Sequence, residues 1–375
     1  MVRIPLDKEL FYPYERELVR IDEFQVITFR FPSGVEALRI HSSVGEMTVL
    51  PFQGQQIWDL SMFKRRQTMK SMFSQPLPGV PYLQTYGGFL LHCGFTAMGG
   101  PGPEDSHPLH GELPNAPYDT ASLISDEDEH GRYIGVNGTW EYAHAFGSHY
   151  RAAPEVRMYP RSGILRVIFE AQNLSGRAME FMYLAHANFR PVDHSELQYT
   201  AMCDTDHVRL RGSIPSHLKV SDEYRAFLAT LAKEPQRHNR MDPGLPFDPE
   251  AVLLLDMLAD TAGFCHSAQV LPTGEADIIT YRPTELSHAV RWICRTPDQD
   301  GLGLILPATA EPDGYTAEKQ KGNIRTLDPG QTFHCEFYTG ALSAPAAQRY
   351  RQHIDATLAG KADEIDPVAL DAQSH

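Results

Sequence analysis

The sequence predicts a mainly β protein: one large antiparallel domain over residues 1–375, with a few inserted and terminal helices. Three observations carry that reading. Apolar residues recur in short alternating runs, the period of a half-buried strand rather than of a helix. The 28 glycines and 28 prolines among 375 residues exceed the roughly 12% that the two types usually contribute together, so turns are frequent and long helices few. Helix start signals occur at only three places, and a 42% hydrophobic share is ample for a sizeable core.

Taken in order, the opening MVRIPLDKELFYPYERELVR is charged and aromatic, without the apolar run of a signal peptide. From Val35 to Met62, alternating runs broken by Gly45, Pro51 and Gly54 predict a β-meander. Between Glu155 and His186, ILRVIFEAQN and MEFMYLAHANF predict two strands joined by the polar turn LSGR. SDEYRAFLATLAKE, with Ser221 as N-cap, and PFDPEAVLLLDMLADTAG predict a helical insertion at about 215–265. Its run AVLLLDML is broken by Asp256 and far short of the roughly 20 apolar residues of a membrane span, so it reads as a packing helix. Strands resume in ADIITYRP, AVRWIC and LGLILP, then in TFHCEFYTGAL after the compact turn DPGQ. APAAQRYRQHIDATLAG predicts a C-terminal helix at about 344–360, and the last fifteen or so residues read as a frayed end.

Charge and cysteine usage narrow the partners. A formal charge of −15 disfavours nucleic-acid backbones and anionic membrane surfaces, leaving a neutral or cationic small molecule as the easier partner. Five scattered cysteines form none of the close pairs of zinc or redox motifs and read as reduced thiols in a cytoplasmic protein. Oligomeric state is not legible.

Among 17 histidines, two stand out by position. His110 lies in the Pro/Gly-rich loop SHPLHGELPNAP and His186 ends the apolar strand YLAHANF. An imidazole delivered by a strand or loop suits proton transfer near neutral pH, and a structural histidine is the alternative. His107 and His194 are near enough in sequence to suggest a zinc site, but the spacing is loose and no HExxH helix occurs. No metal and no cofactor are expected.

These segments together resemble the galactose mutarotase-like (aldose 1-epimerase) superfamily, and in particular a divergent branch whose members carry Cys-Gly before the first histidine loop. Four landmarks occur in family order: GVEALRIHSSVGEMTVLPFQGQQIWD, LHGELPNAP after Cys93 and Gly94, FEAQNLSGRAMEFMYLAHANF, and PDGYTAEKQKGNIRTLDPGQTF. The resemblance implies a large β-sandwich, the supersandwich, with a sugar cleft across one concave sheet and no cofactor. It implies anomer interconversion by general acid/base ring opening, with His186 as acid, His110 as its partner, and a late glutamate as base. Asn115 and Asn188 become candidate hydroxyl binders, with turn-forming asparagines as the alternative.

Where the branch has Glu-Pro, this chain has Leu306 before Pro307. A leucine accepts no proton, so Glu311, Glu318, Asp313 or Glu112 takes over, or the protein binds a sugar without turning it over. Glu318 reads as part of a charged loop able to fold over the cleft. Trp292 is the candidate sugar-stacking ring, with core packing as the alternative, and Arg39 a candidate cleft cation. Three functions compete: a mutarotase-like isomerase, a non-catalytic carbohydrate-binding protein on the same fold, and a metal-dependent sugar isomerase.

Overall fold

Short runs with a two-residue period become the strands of two large antiparallel sheets in the computed structural model, which describes residues 2–212 and 220–372. Among the described residues the first sheet has nine strands, in the spatial order Val2–Leu6, Thr120–Asp128, Gly131–Ala143, His149–Met158, Ile164–Asn173, Thr332–Leu342, Ala276–Tyr281, Cys265–Val270 and Glu196–Tyr199. The second runs Val208–Leu210, Ala251–Leu255, His288–Arg295, Asp300–Ala308, Met179–Ala187, Leu90–Phe95, Ile57–Met62, Gly45–Val49, Glu36–His41, Phe24–Arg30 and Arg16–Ile21. Arg65–Arg66 and Arg325–Leu327 attach to its side. The predicted meander is present as three neighbouring antiparallel strands. The LSGR turn carries the chain from the first sheet to the second.

Alternation along the strands sorts side chains into layers. The main core lies between the sheets, with Phe95, Phe169, Phe181, Tyr183, Leu253 and Phe337 among its members. A second layer covers the far face of the second sheet and includes Leu91, Cys93, Leu184, Val252, Leu254, Val290, Trp292 and Leu306. Its central strands are therefore buried on both faces.

That double burial explains the main departure from the sequence reading. Ala251–Leu255, expected in a helix, is a strand pairing with Val208–Leu210 and His288–Arg295, with all five residues buried. A strand apolar on both faces loses its alternation and is indistinguishable from a short buried helix by period alone. Within the expected insertion, α-helix is confined to α1 (Asp222–Leu231), where the Ser221 hydroxyl accepts the Tyr224 amide N–H at 3.1 Å; residues 213–219 lie outside the described chain. The expected charged loop is instead a helix, α2 (Tyr315–Lys321). The C-terminal helix α3 (Ala344–Leu358) packs on the outer face of the first sheet. Up to Ala372 the expected frayed end is ordered: Val368 and Leu370 are buried against that outer layer, and a last turn, α4, spans Ala369–Ala372, while residues 373–375 lie outside the described chain.

Candidate functional site

The histidines meet through the outer layer of the second sheet. On Met179–Ala187, Met182 and Leu184 face that layer, and alternation puts His186 there too. His186 pairs with Leu91 on one side. On the other side Leu184 pairs with Ala308, so two residues further along both strands Leu306 falls beside His186. Leu306 in turn pairs with Val290, and Val290 with Leu254. The position of the expected glutamate is thus an apolar neighbour of the histidine.

His110 arrives from above, on a loop held by its backbone. Its amide N–H donates to the Gly99 carbonyl at 3.0 Å, and its carbonyl accepts from the Gly94 amide at 2.8 Å. His110 and Gly111 both adopt positive φ, 61° and 76°. A Cβ on Gly111 would lie 2.3 Å from the carbonyl oxygens of Gly94 and Ala97, which is why glycine follows the histidine. The His110 and His186 ring centroids are 5.4 Å apart, edge to face. The buried Nδ1 of His110 has no hydrogen-bond partner.

Aromatic side chains close the site. Tyr82, on the 3-10 turn Tyr82–Gln84, lies 5.0 Å from the His110 ring and 4.9 Å from Tyr86. Tyr86 and Trp292 each stand 5.6 Å from the His186 ring, edge-on. Trp292, Tyr82, Tyr86 and His186 are all buried.

Hydrogen bonds define the protonation of His186. The amide of Asn188 is oriented by its NH2 donating to the Gly88 carbonyl at 2.9 Å, so its Oδ1 accepts from the Tyr86 hydroxyl at 2.9 Å and from His186 Nδ1 at 2.7 Å. Nδ1 therefore carries the proton, and Nε2 of the neutral ring offers a lone pair. Burial, only partly offset by the Asn188 bond, lowers the His186 pKa to about 4. His110 is also held well below its ordinary value, by burial and then by the neighbouring His186 and Arg211. Both rings are neutral at pH 7.

Glu250, a carboxylate that sequence reasoning missed, reaches this layer. Glu250 precedes the Ala251–Leu255 strand; its Oε2 accepts the Trp292 indole N–H at 2.8 Å and its Oε1 accepts from Arg211 at 2.7 Å. Reading AVLLL as a helix hid it. Read as a strand, Glu250 shares a face with Val252 and Leu254, and Val252 pairs with Trp292.

The remaining candidates are distributed differently. Glu311, Asp313 and Glu318 converge on the Lys321 ammonium, each at 2.7 Å, and Glu311 also accepts from Arg209 at 3.1 Å. Burial raises the Glu311 pKa, but the bonds from Lys321 and Arg209 outweigh it and hold it below the usual carboxylate range. Glu318, fully buried at the base of α2, also accepts the Glu311 amide and the Asn323 side chain. Among the described residues no hydrogen bond or ion pair joins this cluster to either histidine. Glu112 accepts from Thr96 and from the Tyr150 hydroxyl. Asn115 Oδ1 accepts from Gln56 at 2.9 Å, tying the covering loop to the frame. Asn188 orients His186 through its Oδ1. Arg39 pairs with Glu15 at 2.6 Å and lies over Phe29, on a strand several positions from the histidines. His107 Nε2 accepts the Tyr315 amide at 3.3 Å.

No helix among the described residues is long and apolar enough to cross a membrane. Comparison with solved structures places this architecture. A "putative aldose 1-epimerase" from Klebsiella pneumoniae subsp. pneumoniae MGH 78578 superposes with a TM-score of 0.76 at 17% identity, covering 98% of this chain and 95% of that one. A galactose mutarotase-like protein from Clostridium acetobutylicum gives 0.57 at 11% identity, covering 86% and 99%. The Slr1438 protein from Synechocystis sp. PCC 6803 gives 0.57 at 12%, covering 81% and 95%. At these identities the likeness is one of fold: the galactose mutarotase-like β-sandwich. No curated protein matches the sequence. The family model described as "Domain of unknown function (DUF4432)" matches residues 32–339, which span the histidine loop, both central strands and the closing turn, and the chain belongs to that family.

Proposed function

We propose that the chain binds a hexose or related sugar over His110 and His186 and interconverts its anomers by ring opening. The observation that carries this reading is the meeting of the two imidazoles, from a loop and a strand far apart in sequence, at 5.4 Å beneath a ring of aromatic side chains. Flat rings suit the apolar faces of a pyranose.

The protonation state supports an order of events different from the one the family resemblance implies. Neutral His186, with its Nε2 lone pair, starts as a base. It takes the proton of the anomeric hydroxyl; the C1=O bond forms, the C1–O5 bond breaks, and the imidazolium returns the proton to O5. Rotation about C1–C2 and reversal of these steps give the other anomer. Asn188 holds the tautomer, and Glu250, tied to Arg211 and Trp292, is the carboxylate best placed to steady the charge that develops. The same reading treats residues 1–375 as one unit in the cytoplasm with a small-molecule sugar as partner.

Leu306 favours a second reading, a non-catalytic sugar-binding protein on the same fold, since the neighbour of His186 is buried and apolar. Exchange NMR on anomerically pure aldoses separates the two. Wild-type protein accelerates anomer exchange over buffer, and His186→Ala abolishes the acceleration while retaining the fold. If no aldose exchanges faster than in buffer while sugars still bind, the isomerase reading fails and the binding reading stands.

A further inference from the structure

On the outer face of the first sheet, remote in the layering from His110 and His186, three side chains converge that no step above uses. His266 stands on the strand Cys265–Val270, His353 on α3, and Asp260 in the turn leading into that strand. Asp260 Oδ2 lies 2.9 Å from His266 Nε2 and 3.0 Å from His353 Nε2, and the two Nε2 atoms are 3.2 Å apart. All three side chains are buried, His353 least so at 8% exposure.

We propose that Asp260, His266 and His353 bind one zinc ion that clips the C-terminal helix to the first sheet. The geometry argues first. Four tetrahedral ligands at zinc bond lengths of about 2.0–2.1 Å stand roughly 3.3 Å from one another. The observed triangle of 2.9, 3.0 and 3.2 Å is that spacing, slightly contracted. With the His266 proton on Nδ1, the lone pair of its Nε2 faces the Asp260 carboxylate oxygen at 2.9 Å, a contact that a cation between them relieves.

The surroundings argue second. Asp260 Oδ1 accepts the amides of Ala262 and Phe264, each at 2.9 Å, which fixes the carboxylate and leaves Oδ2 facing the histidines. His266 Nδ1 is 3.3 Å from both the Thr280 and Tyr350 hydroxyls; these are 2.6 Å from each other, and the Tyr350 hydroxyl reaches the Ile279 carbonyl at 3.4 Å. That chain of hydroxyls ends on a carbonyl, so Nδ1–H has an acceptor and Nε2 is left with the lone pair a metal takes. Such an outer partner fixes the tautomer of a metal-bound histidine. Two imidazoles and one carboxylate suit zinc rather than magnesium or calcium, which prefer oxygen donors throughout. Three protein ligands leave the fourth tetrahedral position to water.

The test uses the full chain stripped with a chelator. Zinc is titrated against a chromophoric chelator, and cobalt(II) replaces it for visible absorption spectroscopy. The expected result is one ion per chain and the intense visible bands of tetrahedral cobalt. His353→Ala and, as the milder change, His353→Gln each weaken zinc binding at least about 100-fold, and Thr280→Val weakens it about 10-fold through the tautomer. The cobalt spectrum is read on the wild-type chain and does not depend on any variant folding. Absence of tetrahedral bands overturns the proposal, and so does zinc binding that is unchanged in His353→Gln, since the ion would then sit on other histidines.

Discussion

His186→Gln changes how stability depends on pH, by an amount that follows from the burial of the ring. The native pKa is lowered to about 4, whereas an unfolded histidine titrates near 6.5. Between those values the unfolded chain binds a proton that the folded chain refuses. Stability from this group is therefore complete above about pH 6.5 and declines as pH falls towards 4. Going from pH 7 to pH 4.5, linkage gives a loss of roughly 2.5 kcal/mol from this one residue. Glutamine keeps a side-chain amide able to reach Asn188 but does not titrate, so the variant is spared that loss. His92, buried in the main core and lowered to about 3, adds acid sensitivity to both proteins and cancels in the comparison. Urea denaturation of both chains at pH 7 and pH 4.5 measures the difference. A wild-type-minus-variant difference that moves by less than about 0.5 kcal/mol between the two pH values would refute the claim that burial keeps the ring neutral.

Glu250→Gln lowers the anomer-exchange rate at least about 100-fold, the scale of a lost charge or proton acceptor at the reacting centre, whereas Glu311→Gln changes it less than about twofold; equal effects on the two rates would count against the placement of Glu250. Arg65→Met strands the fully buried Asp277 carboxylate, which Arg65 and Gln269 now satisfy, and costs about 3–5 kcal/mol in urea denaturation, with less than about 1 kcal/mol contradicting it. Gly111→Ala strains the positive-φ turn and presses on two carbonyls, costing about 1–3 kcal/mol and shifting the His110 resonances in NMR; an unperturbed His110 would show that the turn does not set its position.

The sequence carried the fold further than the site. Turn chemistry and alternation give the meander from Val35, the strand reaching His186 and the DPGQ turn, where Gly330 takes φ 78°. Alternation failed where a strand is apolar on both faces, at Ala251–Leu255, and that single misreading concealed Glu250. The two histidines were legible because a loop and a strand end announce themselves locally. The partners of the carboxylates were not, because Lys321 gathers Glu311, Asp313 and Glu318 through a helix whose charged sequence reads as a loop. Asn188 stands out in the sequence as a hydroxyl binder; in three dimensions its Oδ1 accepts from Tyr86 and His186 and one of its two N–H groups donates to the Gly88 carbonyl.

The tyrosine cover over the histidines has a thermodynamic consequence. On the proposed sugar-binding reading, Tyr82 and Tyr86, which rest on the His110 and His186 rings, move aside before a ligand reaches those rings. The apparent dissociation constant then equals the intrinsic one divided by the fraction of competent conformers. A substitution that loosens the cover without touching the histidines, such as Tyr82→Ala, raises that fraction and tightens apparent binding, even though it deletes an aromatic contact. On that reading, affinity follows how readily the site opens as well as what it offers once open.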